Sequence, residues 1–149
     1  MRIKNGTLIF VADGTKMRLF RNDGGADDIS LAELRREETA NPPTREQGTD
    51  TPGRTQSRVG ERRSSYGETD WHRQAEDEFA RHAATALEDA AVEQNGSDIL
   101  VVAAPRTLGE LRKHYGRETR SRLLSEIGKD LANQAPDGIV KVINSHTGF

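Results

Sequence analysis

The segment from Ile99 to Arg112, ILVVAAPRTLGELR, constrains the fold more than any other part of this chain. Ile99-Leu100-Val101-Val102-Ala103-Ala104 is an uninterrupted apolar run, which suits a strand buried on both faces. Pro105 removes a backbone donor and closes the ladder. Thr107 and Glu110 stand at capping-box spacing, so a helix is expected to start at Thr107. Strand, short polar turn and helix start imply an α/β sheet, and the turn after such a strand is where these sheets usually place ligands.

Upstream, Thr7 to Ala12 reads as a strand and Asp13-Gly14 as a hairpin turn, because both residues tolerate positive φ. Lys16 to Arg21 alternates in part, as a half-buried antiparallel strand does. Ile29 to Glu38 fits a helical turn as well as a strand, and a meander of three strands is the reading adopted. Trp71 to Gln94 is a long amphipathic helix with Phe79, Ala83, Ala86, Leu87, Ala90 and Ala91 on one face, and Asn95-Gly96 stops it. The pattern after Gly116 predicts a further helix from about Arg117 to Asn133, with Leu123, Leu124, Ile127 and Leu131 turned inward. Asp137 to His146 stays undecided between helix and strand. The expected architecture is therefore a small mixed α/β sheet: an antiparallel meander plus one parallel strand at Ile99, with the long helix as crossover.

The 149 residues suit one domain. Only 33% are apolar and the mean hydropathy is −0.80, so part of the chain must be heavily solvated. That part is residues 39–70, rich in Pro, Gly, Ser, Thr and charge, with Val59 and Tyr66 its only large apolar side chains. It reads as a long flexible loop inserted between the third strand and the long helix. The absence of cysteine excludes disulfides, thiolate catalysis and Cys-based zinc sites. No apolar run nears the roughly 18 residues that span a bilayer. The first residues, MRIKNGTLIFVADG, lack a signal-peptide pattern, and a cytoplasmic protein is expected.

A net charge of −2 gives no global nucleic-acid signature, but the charge is unevenly spread. Between Arg54 and Arg63 only Glu61 opposes Arg54, Arg58, Arg62 and Arg63. Such a cluster can order on a phosphate backbone; a solvated linker kept soluble by its arginines fits the composition equally. Tyr66 and Trp71 could stack on bases, although Trp71 better suits a packing residue at the start of the long helix. Arg106 and Thr107 mark a second anion-binding candidate at a helix N-terminus; an ordinary helix cap is the bland alternative. Asp13 reads as a turn residue rather than a metal ligand, since no further acidic residues stand at matching strand ends. His72, His82, His114 and His146 lack ligand spacing, and neither a Walker motif nor a dinucleotide fingerprint is present. No metal or other cofactor is expected, and no catalytic residue is assignable.

Several blocks resemble a known family: Val11–Gly14 (VADG), Asn41–Arg45 (NPPTR), Thr51–Arg54 (TPGR), Glu78–Ala80 (EFA), Ala104–Arg112 (APRTLGELR) and Glu126–Leu131 (EIGKDL). In their order, and over nearly the whole chain, they are similar to the bacterial host attachment protein family, described as required for attachment to host cells. That family is in turn similar in fold to the middle domain of eukaryotic and archaeal peptide-chain release factors. The resemblance implies a ribonuclease-H-like sheet and a non-enzymatic interaction protein that affects attachment. The alternative it implies is a ribosome- or tRNA-associated protein acting in translation rescue or peptidyl-tRNA hydrolysis through the arginine-rich loop. In the release factors the corresponding loop carries a Gly-Gly-Gln motif. Here residues 39–70 contain none, and the single Gly-Gly pair, Gly24-Gly25, precedes Ala26.

Overall fold

A computed structural model describes residues 1–39 and 71–146 in full and residues 54–70 as backbone. Three strands open the chain, β1 (Leu8–Ala12), β2 (Lys16–Asn22) and β3 (Leu31–Glu38). They are followed by α1 (Arg54–Glu93), β4 (Ile99–Ala103), α2 (Pro105–Arg112), α3 (Arg117–Arg122), β5 (Leu123–Ile127) and α4 (Pro136–Ser145). The sheet order is β3-β2-β1-β4-β5: β1, β2 and β3 form the expected antiparallel meander, and β4 runs parallel to β1.

The Asp13 carboxylate makes the first turn. Its Oδ1 accepts from the backbone amides of Thr15 at 2.8 Å and Lys16 at 2.7 Å, so the residue is committed to the hairpin. Period-two alternation then divides the core. Leu8, Phe10, Ile99 and Val101 face α1 and α2, against Phe79, Ala83, Ala84, Leu87, Leu108 and Leu111. Ile9, Val11, Leu100 and Val102 face the other way, against Ile3, Phe20, Ile139 and Ile143. Both faces of β1 and β4 are therefore dry, which is what their continuous apolar runs require. Each fully buried Leu, Ile or Phe contributes about 1.5–3 kcal/mol relative to exposure.

Four expectations are corrected. The first concerns residues 39–70. The long helix starts at Arg54, not Trp71, so 54–70 has helical backbone rather than that of a loop; residues 40–53 lie outside the described residues. Apolar periodicity cannot detect this extension because the stretch has no apolar stripe, while Pro52-Gly53 marks its start. The second concerns Arg117–Asn133. Only Arg117–Arg122 is helical; Leu123–Ile127 is a fifth strand, parallel to β4. Leu123, Leu124 and Ile127 fit a helical stripe, but β4 offered an open ladder edge, and Leu123 packs on the opposite face from Leu124 and Ile127.

The third concerns Thr107. It is not a cap: α2 begins at Pro105, Ala104 occupies the cap position, and Thr107 is buried in the first turn. Proline at the first helical position fixes φ and needs no hydrogen bond, which moves the helix start back to it. Glu110 pairs with Lys113 at 2.9 Å rather than with a capping residue. The fourth is Trp71, which lies within α1, 42% exposed, with its ring edge-on to His72 at 5.2 Å. The undecided last element is a helix, α4, whose Ile139 and Ile143 are fully buried.

Buried charge locks the sheet to the segment after β5. Arg18, only 4% exposed, donates through Nη1 to the carbonyls of Ala132 at 3.3 Å and Gln134 at 2.6 Å. Its Nη2 reaches Glu33 at 3.3 Å, and its guanidinium lies 4.8 Å over the Phe20 ring. Arg36 first, then Arg18, holds the Glu33 carboxyl at about 2 despite partial burial.

Candidate functional site

The sites expected from sequence fall on two different elements. On α1 the helical backbone sets Arg54, Arg58 and Arg62 at successive four-residue steps, with Arg63 adjoining. Residues four apart on a helix share one side, so three of the four arginine positions form a line. Arg106 and Thr107 belong to the start of α2. Arg106 meets α1 at Glu76 (3.6 Å) and Asp77 (3.7 Å). Glu76 lies thirteen positions beyond Arg63, about 20 Å along the helix. The two candidates are thus not one site in this structure.

Arg106 is half exposed, and two carboxylates already face its guanidinium. Thr107 is buried. An incoming anion would compete with Glu76 and Asp77, so the sequence-expected anion site at α2 is spent on fastening α1 to α2. The same corner holds Gly14 tightly: a β-carbon there would come within 2.8 Å of the Glu76 carboxylate.

A third arrangement was invisible in the sequence. Glu88 of α1 reaches the start of α3 and accepts from the amides of Glu118 (3.0 Å) and Thr119 (2.9 Å) and from the Thr119 hydroxyl (3.0 Å). Burial favours the protonated acid, but those donors and Arg122 outweigh it and hold the Glu88 carboxyl below its ordinary range. In return Arg122 donates to the carbonyls of Ala91 and, at 3.1 Å, Gln94, the orphan acceptors at the end of α1. Each helix thus caps the other. Behind α3, the Tyr115 hydroxyl donates to Glu126 at 2.7 Å and Arg112 Nε donates to the same carboxylate at 3.0 Å. Burial, then the Glu126 hydrogen bond, pushes the Tyr115 phenol above its usual range. Spacing offers Arg122 two partners four residues away, Glu118 and Glu126; the first pair forms, and Glu126 goes to Arg112 and Tyr115.

Beside these bonds, Tyr115, Arg117, Arg120 and Ser121 line an open groove of 520 Å³. Among the described residues no group of three His, Asp or Glu side chains is placed to hold a metal ion, and no helix is long and apolar enough to cross a membrane.

The fold defines an α/β domain with an open, mixed, five-stranded sheet. The chain belongs to bacterial archaeo-eukaryotic release factor family 12, whose family model matches residues 6–143. This corrects the name drawn from the sequence blocks: the matching family is a release-factor family, and the host attachment name finds no support. No curated protein matches the chain.

Proposed function

We propose that this protein is a ribosome-associated, release-factor-like RNA binder whose contact element is the amino-terminal part of α1. The observation that carries the reading is the helical backbone from Arg54, on which Arg54, Arg58 and Arg62 recur every four residues beside Arg63. Arginine suits this work because its planar fork meets phosphate oxygens in pairs. Four arginines against Glu61 give a local excess that the near-neutral whole chain hides. The element also follows the third strand and leads into the long helix, where release factors carry their peptidyl-transferase loop. The sequence lacks Gly-Gly-Gln, so the reading is one of binding, with no hydrolytic residue assigned.

Co-sedimentation with ribosomes at low and high salt tests it. Wild type should pellet at low salt and release as salt rises. The variant with Arg54, Arg58, Arg62 and Arg63 all changed to Ala should stay in the supernatant with its melting temperature unchanged. Pelleting that ignores the four substitutions, or none by wild type, overturns the reading.

A further inference from the structure

Two of the four residues lining the groove on α3, Arg117 and Arg120, carry side chains with no partner among the described residues, while the cations around them are paired. Arg106 faces Glu76 and Asp77, Arg112 binds Glu126, Lys113 binds Glu110, and Arg122 binds Glu118 and the end of α1. Arg117 and Arg120 are exposed and form no ion pair or hydrogen bond among the described residues. The acids nearest in sequence are committed elsewhere: Glu118 to Arg122, Glu88 to the α3 amides, Glu126 to Tyr115 and Arg112. Among the described residues no carboxylate lines the groove, whose walls are Tyr115, Arg117, Arg120 and Ser121.

The mounting is firm. Between the two arginines Thr119 is fully buried, its amide and hydroxyl both held by Glu88. Positions 117 and 120 are three apart and share a side of α3, about 5–6 Å between β-carbons. The amides at the start of α3 are already taken by Glu88, so an anion here would be held by the two guanidinium groups, with no help from the helix end. Tyr115 also lines the groove, with its hydroxyl committed to Glu126.

We infer that this groove binds the sugar-phosphate backbone of single-stranded RNA, as a second contact beside the amino-terminal arginines of α1. Two fixed, unpaired arginines suit consecutive phosphates, and an open groove suits a polymer that passes through rather than a small anion that needs enclosure. The inference rests on the RNA-binding reading above but uses different residues, so the two fail separately.

The test is fluorescence anisotropy with a labelled single-stranded RNA oligonucleotide over a salt series. The proteins are wild type, the double variant Arg117→Ala/Arg120→Ala, and Arg117→Lys/Arg120→Lys. Loss of two phosphate contacts should flatten the plot of log affinity against log salt by about 1.4 for a single strand. The lysine variant should keep the slope and bind more weakly, because a point charge replaces a fork. Melting temperatures should match, since both side chains are exposed. Unchanged affinity and slope in the alanine variant, or no RNA binding by wild type, overturns the groove. So does a poly-glutamate peptide that binds in an Arg117- and Arg120-dependent way where RNA does not. Ribosome pelleting and RNA anisotropy of the four-arginine α1 variant, run beside them, report on the α1 arginines independently: the groove fails alone if that variant loses both while the α3 alanine variant keeps both.

Discussion

The two ends of α1 are made of different material. From Phe79 to Ala91 the helix turns Phe79, Ala80, Ala83, Ala84, Ala86, Leu87, Ala90 and Ala91 to the core, and all are buried. The alanines let the helix axis lie close to the sheet while Leu87 fills the space between strands. From Arg54 to Asp70 the same helix has no apolar stripe, no acidic residue in its first turn, and two glycines, Gly60 and Gly67. One end is held by burial. The other has a sequence with no apolar stripe to bury, and intrinsic helix propensity alone is marginal over so short a stretch. A single helix can therefore join a stability-determining segment to a chemically active one, and substitutions at the two ends should read out in different assays.

The largest expected effect is at the packed end. Leu87 is fully buried, so Leu87→Ala removes apolar contact and leaves a cavity, at a cost of about 2–5 kcal/mol. Chemical denaturation should show a lower midpoint with an unchanged slope. The four-alanine change at Arg54, Arg58, Arg62 and Arg63 should shift stability by less than about 0.5 kcal/mol in the same experiment. Equal losses from both variants would break the comparison.

Next in size is the cross-cap at the far end of α1. Glu88→Ala strips the acceptor from two amides and one hydroxyl at the start of α3, a loss of about 1–2 kcal/mol. Glu88→Gln keeps one acceptor oxygen and should recover part of it. Gly116→Ala should mimic the loss, because its new β-carbon would lie 2.3 Å from the Glu88 carboxyl carbon and push the cap away. Thermal melts of the three variants decide it, and a Gly116→Ala protein as stable as wild type would show that Glu88 has another place to go.

Much of the packed body was legible from the sequence, and the reasons are local. Asp13-Gly14 writes its own turn, and the Ile99–Ala103 run has no comfortable place except between two strands. Strand β5 was not legible, because LLSEI satisfies a helical stripe as well as a ladder and only the open edge of β4 decides between them. The amino-terminal part of α1 left no periodic trace, since periodicity reports burial and this stretch carries no apolar face. The groove arginines were hidden for a different reason. Whether Arg117, Arg120 or Arg122 is free depends on where Glu88 and Glu126 arrive from distant elements. Residue spacing suggested Arg122 with Glu126, whereas the fold gives Glu126 to Arg112 and Tyr115.

Acid should act on the packed sheet rather than on the arginine end of α1. Arg36 and Arg18 lower the Glu33 carboxyl from its ordinary 4.5 to about 2 in the folded protein. A depressed folded value means the unfolded chain binds the proton more readily. The stabilisation is whole above about 4.5 and disappears as pH falls from there toward about 2. Glu33→Gln should be less stable than wild type at pH 7 and flatten the stability profile in that window. Arginines stay charged throughout, so the charge on Arg54, Arg58, Arg62 and Arg63 does not change in that window. A Glu33→Gln protein with the wild-type acid profile would move the origin of acid sensitivity to other carboxylates.

The smallest effect sharpens the contrast most, because it strengthens the weak end and leaves the strong one alone. Gly60→Ala with Gly67→Ala removes two glycines from a helix interior, each worth about 1 kcal/mol of local helix propensity. Because the sequence of the segment carries no apolar stripe, the gain should stay local. Amide exchange should slow across residues 54–70, while the global denaturation midpoint moves little. Where RNA binding requires the helical form, a helix formed in advance lowers the ordering cost, and ribosome pelleting should persist to higher salt. Slower exchange with unchanged pelleting would mean that the arginines bind equally well from a frayed chain. A rise in the global midpoint to match the local gain would instead show the two ends of α1 unfolding as one unit, and the division between them would fail.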